Sequence, residues 1–206
     1  MIRIWKGRRG MEKWKKYPAT ALFVLANAVM FVIVEIGGSS ESSTHLLKYG
    51  AMYVPLVTQE GQWFRVLTAM FLHFGMEHLL NNMLVLIVLG LRLEPLFGSI
   101  SYALVYLLGG IGGNLASMRF SPDAANAVSA GASGAVFALM GAMLYALLQG
   151  KGRVKDLSTT QILVMAAMSL YLGFASKGVD NIAHIGGMVC GFCLAVILYH
   201  PKRRQI

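Results

Sequence analysis

The chain has 206 residues, of which 56% are hydrophobic and only 13% are charged. A soluble protein of this size could not cover its surface with so few charges, so the composition predicts a protein of the lipid bilayer. The formal net charge of +9 would fit a nucleic-acid partner, but the basic residues collect at the ends of apolar segments. Anionic lipid headgroups account for them there without nucleic acid.

Six apolar segments are long enough to cross about 30 Å of hydrocarbon at about 1.5 Å per helical residue. The sequence therefore predicts an all-α, polytopic membrane protein, a bundle of six transmembrane helices. In chain order, the predicted spans cover residues 18–37, 76–93, 99–118, 131–150, 158–175 and 181–199. The corresponding domain organisation is a basic cytoplasmic N-terminal segment, a six-span domain and a basic cytoplasmic tail, at residues 1–17, 18–200 and 201–206.

The distribution of charge predicts the orientation of this bundle in the cell membrane. If the N-terminus is cytoplasmic, fourteen of the 18 lysine and arginine residues fall in cytoplasmic segments and four fall on the other side. This asymmetry follows the positive-inside rule and places both termini in the cytoplasm. The first apolar run is long for a signal peptide and has no obvious cleavage site, so we interpret it as a retained span.

The longest segment outside the predicted spans covers residues 38–75. It is too apolar for a solvated linker and too interrupted to cross the bilayer. It carries Trp63 and Arg65, and side chains of these types are favoured where the membrane meets water. We therefore expect this segment to lie partly in the external interface.

Small residues recur at every fourth position in two of the predicted spans. Residues four apart share a helix face, and small ones allow two helices to approach closely in lipid. We therefore predict that the fourth and sixth spans are in contact, which would bring Ser133 close to His184. The small residues are Ala130, Gly134, Ala138, Ala142 and Ala146 in the fourth span, and Ala183, Gly187, Gly191 and Ala195 in the sixth.

Polar residues inside a membrane are costly, so those at the starts of the predicted spans are candidates for function. They are His73, His78, Asn82, Ser133 and His184. With a cytoplasmic N-terminus, the even-numbered spans all run inward from the external side. All five residues then lie at one depth near the external face, which scattered packing residues would have no reason to do.

The types of these residues fit nucleophilic catalysis. Ser133 opens a span after two small residues, so its hydroxyl is uncovered and lies near the unpaired backbone donors of a helix N-terminus. A neutral, buried His184 could accept the serine proton. Donors for a developing oxyanion could come from His78, from Asn82 and from the backbone N–H of Ser133.

No carboxylate is placed to complete a triad. Glu77 points away from its neighbour His78, Asp180 lies a full turn before His184, and Glu35 is near the far end of the first span. We therefore predict a Ser-His dyad that uses no metal or cofactor. Two alternatives remain open: haem or metal ligation by the span histidines, and a non-catalytic module that retains helical partners.

Several motifs taken together resemble the rhomboid family of intramembrane serine proteases over nearly the whole chain. The motifs are Trp63-Phe64-Arg65, His73-x4-His78-x3-Asn82, Gly90-x3-Glu94, Gly109-Gly110-x2-Gly113-Asn114, Gly131-Ala132-Ser133-Gly134 and Ala183-His184-x2-Gly187-x3-Gly191. The resemblance implies a six-span core in which Ser133 is the nucleophile, His184 the base, and His78 and Asn82 the oxyanion donors. It also implies that other transmembrane proteins are the substrates.

Further roles follow from the resemblance alone. It implies that Trp63 and Arg65 belong to a membrane-embedded loop, that Glu94 ties helix ends together and that Gly131 lines the active site. One residue departs from the family pattern: Phe137 stands where many members have a tyrosine stacked under the catalytic histidine. A phenylalanine ring can still stack there, whereas the hydrogen bond of the phenol is lost.

Overall fold

The structure is a computed structural model that describes residues 16–122, 125–150, 153–154, 157–175 and 179–199. Most of the predicted N-terminal segment 1–17 and all of the tail 201–206 lie outside these ranges. The elements in chain order are α1 (Pro18–Gly37), α2 (Ser43–Lys48), α3 (Val54–Thr58), α4 (Arg65–Thr68) with a 3₁₀ turn (Ala69–Phe71), α5 (Gly75–Phe97), α6 (Ser99–Phe120), α7 (Ser133–Gln149), a hairpin of β1 (Arg153–Val154) and β2 (Leu157–Ser158), α8 (Thr159–Ala175) and α9 (Asn181–Leu198).

The long apolar helices α1 and α5 to α9 match the six predicted spans within four residues at either end. Four of them, α1, α5, α6 and α9, are long and apolar enough to cross a membrane, while α7 and α8 are shorter apolar helices of 17 residues. Many of their large apolar side chains are exposed, as lipid-facing residues must be. The prediction of an all-α, polytopic membrane bundle is confirmed.

Local sequence explains where several helices begin and end. Pro18 begins α1, since the first helical position needs no backbone donor. α5 continues four residues beyond the predicted span, through Pro95, and stops at Gly98. The φ of Gly98 is 79°, a conformation that glycine adopts without steric cost. Asp180 caps α9, because its side chain accepts a hydrogen bond from the backbone N–H of Ala183.

The predicted contact between the fourth and sixth spans, α7 and α9, is confirmed. A Cβ atom built on Gly187 would collide with the backbone carbonyl of Gly134, and one built on Gly191 would collide with that of Ala138. α6 joins the same contact, since a Cβ atom on Gly113 would lie 2.6 Å from the carbonyl oxygen of Ala183. Three helix backbones therefore meet closely. The N-terminal ends of α7 and α9 and the C-terminal half of α6 come together at this contact.

Candidate active site

Ser133 and His184 are in direct contact. Ser133 is the first residue of α7, and His184 lies in the first turn of α9. The side-chain oxygen of Ser133 is 2.8 Å from Nε2 of His184. This is the separation expected of a nucleophile and the base that takes its proton.

Phe137 packs against the ring of His184. It follows Ser133 by one turn of α7, and its ring stacks on that of His184 with centroids 4.4 Å apart and an angle of 4° between the planes. Stacking of this kind restricts the tilt of the imidazole, so Nε2 stays directed at the serine. The phenylalanine thus provides the ring contact, and its side chain has no hydroxyl to donate.

The second nitrogen of the histidine, Nδ1 of His184, is buried and makes no hydrogen bond. The nearest acidic residue in the sequence, Asp180, instead accepts hydrogen bonds from the backbone of Ala183 and from the hydroxyl of Ser117. Among the described residues, Ser133 and His184 therefore form a pair with no carboxylate bonded to it.

The turn before Ser133 is held by residues from the 38–75 segment and its junction with α5. Ser129 exchanges two backbone hydrogen bonds with Met52, of 2.8 and 2.9 Å. The N–H of Gly131 donates to the carbonyl of Ala69 at 3.0 Å, and the N–H of Ala132 donates to Nε2 of His73 at 3.3 Å. We call residues 129–132 the nucleophile turn. Its position relative to the bundle is set by four hydrogen bonds from outside it.

Gly131 leaves room for the ring of His78. Its φ is 152°, and a Cβ atom there would lie 2.8 Å from Cε1 and 3.0 Å from Nε2 of His78. The same atom would lie 3.5 Å from the hydroxyl oxygen of Ser133. A side chain at this position would therefore displace the imidazole from its place beside Ser133.

Asn82 lies one turn after His78 on α5 and is buried. Its amide nitrogen donates to the backbone carbonyl of His78 at 3.0 Å. An amide nitrogen carries two hydrogens, so one donor remains for another acceptor. His78 and Asn82 thus share the face of α5 that is turned towards the nucleophile turn.

His73 precedes α5 and packs edge-on against His78, with ring centroids 5.1 Å apart. Burial, and to a lesser extent the neighbouring His78, lowers the pKa of His73 to about 3. The ring is therefore neutral at physiological pH. Since its Nε2 accepts the hydrogen bond from Ala132, its proton lies on Nδ1, which is buried without a partner.

Trp63 and Arg65 occupy different environments, although the sequence placed both at the membrane interface. Trp63 is exposed. Arg65 is buried, and it donates to the carbonyls of Leu47 and Ala51 at 2.9 Å each and to the side chain of Gln62. Its guanidinium thus organises the loop from within. Because Ala51 precedes Met52, these bonds also support the strand-like pairing that holds the nucleophile turn.

Glu94 lies near the opposite end of α5 and is buried. Its carboxylate accepts hydrogen bonds from the backbone N–H groups of Ala19 and Thr20, from the hydroxyl of Thr20 and from that of Ser99, at 2.6 to 2.9 Å. These donors belong to the first turns of α1 and α6. The carboxylate therefore joins three helix ends, far from the histidines.

Sequence reasoning missed several residues that the structure brings to the site. They are Met52, Ala69, Ser117 and Ser129, and Asp180 in its role as a helix cap. Only the last had a recognisable signal, since an aspartate just before an apolar helical run is a common N-cap. Within the described ranges, no group of three or more histidine, cysteine, aspartate or glutamate side chains could hold a metal ion.

Comparisons with known proteins agree with the motifs. The Rhomboid domain family model matches residues 60–201. The chain is 40% identical to "Rhomboid protease GluP" of Bacillus subtilis over 183 residues, which cover 89% of this chain and 35% of that protein. It is 45% identical to "RHOMBOID-like protein 2" of Arabidopsis thaliana over 78% of this chain and 50% of that protein.

A third relative is similar over most of its length. The chain is 27% identical to "Putative rhomboid protease YdcA" of Bacillus subtilis, with 92% of each chain covered. By contrast, it spans between a third and a half of the length of the other two relatives. The family match covers more than half of the chain, and it includes every helix that contributes to the Ser133 site. The chain therefore belongs to the rhomboid family.

Proposed function

We propose that the chain is an intramembrane serine endopeptidase that cleaves peptide bonds in or near the transmembrane helices of other membrane proteins. The observation that carries the proposal is the 2.8 Å contact between Ser133 and His184 at the shared end of α7 and α9. The proposal is also supported by two relatives from Bacillus subtilis whose names describe them as rhomboid proteases, one of them as putative.

The reaction follows from the roles of the two side chains. The oxygen of Ser133 attacks the carbonyl carbon of the scissile bond, and Nε2 of His184 accepts the serine proton. The imidazolium then protonates the leaving amine, which departs with the C-terminal fragment. Water, deprotonated by the same histidine, hydrolyses the acyl-enzyme and restores Ser133.

Oxyanion stabilisation is assigned to three donors around the nucleophile. They are the backbone N–H of Ser133, the ring of His78 and the free hydrogen of the Asn82 amide. Support comes from the proximity of Gly131 to both the His78 ring and the Ser133 hydroxyl. Preorganised donors of this kind stabilise the negative charge that forms in the transition state.

The substrate class follows from the location of the site. A peptide bond inside an intact transmembrane helix is shielded, because every backbone group there is hydrogen-bonded within the helix. The substrate must unwind locally before Ser133 can reach it, so residues that weaken a helix should lie near the cut. Lipids are the surrounding solvent, and no nucleic acid takes part.

Cleavage of a purified model transmembrane substrate in detergent tests the proposal. Ser133→Ala and His184→Ala should each abolish cleavage, and the double variant should be no worse than either, because the two residues act as a unit. Ser101→Ala, at the opposite end of the bundle, is the matched control and should cleave normally. Clear turnover by Ser133→Ala or His184→Ala would refute the dyad.

Orientation is a separate part of the proposal: both termini are cytoplasmic and the site faces the external side. The two ends of α7 offer a test, since Asn126 lies in the loop before it, Gln149 is its last residue, and both are exposed. In a background lacking Cys190 and Cys193, Asn126→Cys should react with a membrane-impermeant thiol reagent in intact cells, and Gln149→Cys should not. The opposite labelling pattern would place the site on the cytoplasmic side.

A further inference from the structure

Asp180 joins three parts of the molecule around the catalytic pair. One carboxylate oxygen accepts the backbone N–H of Ala183 at 2.9 Å and so caps α9. The other accepts a hydrogen bond from the hydroxyl of Ser117 on α6, and the hydroxyl of Ser129 lies 3.5 Å from the same oxygen. The first turn of α9 is thereby tied both to α6 and to the nucleophile turn.

The same residue lies close to His184, since its carboxylate accepts the N–H of Ala183 at 2.9 Å and its backbone carbonyl accepts the N–H of His184 at 3.2 Å. When His184 accepts the serine proton, a positive charge forms on a buried imidazole whose Nδ1 has no partner. Such a charge is costly in a medium of low dielectric unless an opposite charge is near. Among the described residues, Asp180 supplies this opposite charge, since its electrostatic interaction with the ring is favourable.

Few other ionisable groups face the ring. From α5, His78 interacts with it unfavourably. From α7, the ring meets the hydroxyl of Ser133 and the apolar Phe137. Arg119 of α6 is exposed and lies over the ring of Phe120, and Tyr171 of α8 is 67% exposed. None of these supplies a negative charge at neutral pH.

We propose that Asp180 is a positioning residue for the Ser133–His184 pair, an inference that rests on the proposed function. Its hydrogen bonds set the position of α9 relative to the nucleophile turn, and its negative charge stabilises the imidazolium that forms during catalysis. The proton moves from the oxygen of Ser133 to Nε2 of His184 and from there to the leaving group. Asp180 takes no proton at any step.

Asp180→Asn tests the role of the charge. Asparagine caps helices as well as aspartate does, and its one side-chain oxygen can still accept the hydrogen bond from Ala183. Its NH2 group takes the place of the second carboxylate oxygen and can donate to the hydroxyl of Ser117, so the contact is retained with its direction reversed while the charge is lost. We expect kcat to fall roughly 10- to 100-fold. A loss of this size corresponds to the attraction between two opposite charges about one helical turn apart at an effective dielectric constant of about 20 or above. KM should be unchanged.

The pH profile provides the readout that a purely structural role would not move. Without the carboxylate the imidazolium is less stable, so the acid limb of kcat should shift to lower pH in Asp180→Asn. The rate at which a fluorophosphonate labels Ser133 should fall with kcat, which separates chemistry from substrate unwinding. Ser117→Ala is the matched control: it removes a hydrogen bond and keeps the charge, so its acid limb should stay at the wild-type pH.

The outcomes are distinct. If the acid limb of Asp180→Asn coincides with that of the wild type, the proposal is overturned, whatever the value of kcat. If Asp180→Asn does not show a cooperative thermal transition, Asp180→Ser, another uncharged cap, takes the same test. If the wild type itself cleaves no transmembrane substrate, the proposed function fails instead, so the two failures cannot be confused.

Discussion

Gly187→Ala, which adds a single methyl group, tests whether the packing of α7 against α9 positions Ser133 and His184 for catalysis. In Gly187→Ala, the added carbon would collide with the carbonyl oxygen of Gly134 and lie 3.0 Å from its carbonyl carbon. Both are backbone atoms of a helix and cannot rotate away as a side chain could. The two helices must separate, and overpacking of this kind costs about 1 to 3 kcal/mol of stability.

The separation acts directly on the reacting atoms. Gly187 follows His184 by three residues on α9, and Gly134 follows Ser133 on α7. A shift of about 1 Å between nucleophile and base can cost roughly 10²-fold in rate. We therefore expect kcat of Gly187→Ala to fall about 100-fold and its thermal midpoint to fall by several degrees, although residue 187 carries no catalytic group.

The assay is cleavage of a transmembrane substrate in detergent, with thermal unfolding measured on the same samples. Gly134→Ala is a matched control from the opposing helix, because a Cβ atom there would meet its nearest neighbours at 3.7 and 3.9 Å, ordinary van der Waals separations. Its loss of rate should be far smaller. If Gly187→Ala kept the kcat and thermal midpoint of the wild type, close backbone contact would not be what positions the pair.

Two further predictions concern the ends of α5. Asn82→Ala should lower kcat by about 10²- to 10³-fold without abolishing cleavage, as expected for the loss of one oxyanion donor; full kcat would reduce Asn82 to a packing role. Glu94→Ala leaves the buried donors of Ala19, Thr20 and Ser99 without their acceptor, so it should lower the free energy of unfolding by about 3 kcal/mol. The cleavage rate per folded molecule should stay near that of the wild type, and an unchanged thermal midpoint would contradict this assignment.

Several features of this protein are readable from the sequence because they arise from local patterns. A helix in lipid must satisfy its own backbone groups and match the bilayer thickness, so apolar length alone locates the six long helices. Small residues spaced by four lie on one helix face, which is enough to predict the contact of α7 with α9. Since Ser133 and His184 lie beside those faces, their proximity followed from the same pattern.

The residues that hold Ser133 and His184 in place could not be predicted from local sequence patterns. Arg65 is an interfacial residue by its type, yet the fold buries it against carbonyls of Leu47 and Ala51, up to 18 residues away in the chain. Asp180 was considered only as a partner for His184, one turn away, whereas it binds Ser117 on another helix.

The nucleophile turn illustrates the physical reason. Its hydrogen bonds come from Met52, Ala69 and His73, which are separated from it by more than 50 residues and follow no helical period. Two of the three contacts use backbone groups, which every residue has, so residue type carries no signal for them. Apolar length and small-residue spacing therefore determined the helices and the meeting of Ser133 with His184. Only the tertiary structure decided which loop atoms hold that pair in place, because irregular backbone pairs wherever the packed helices bring its donors and acceptors together.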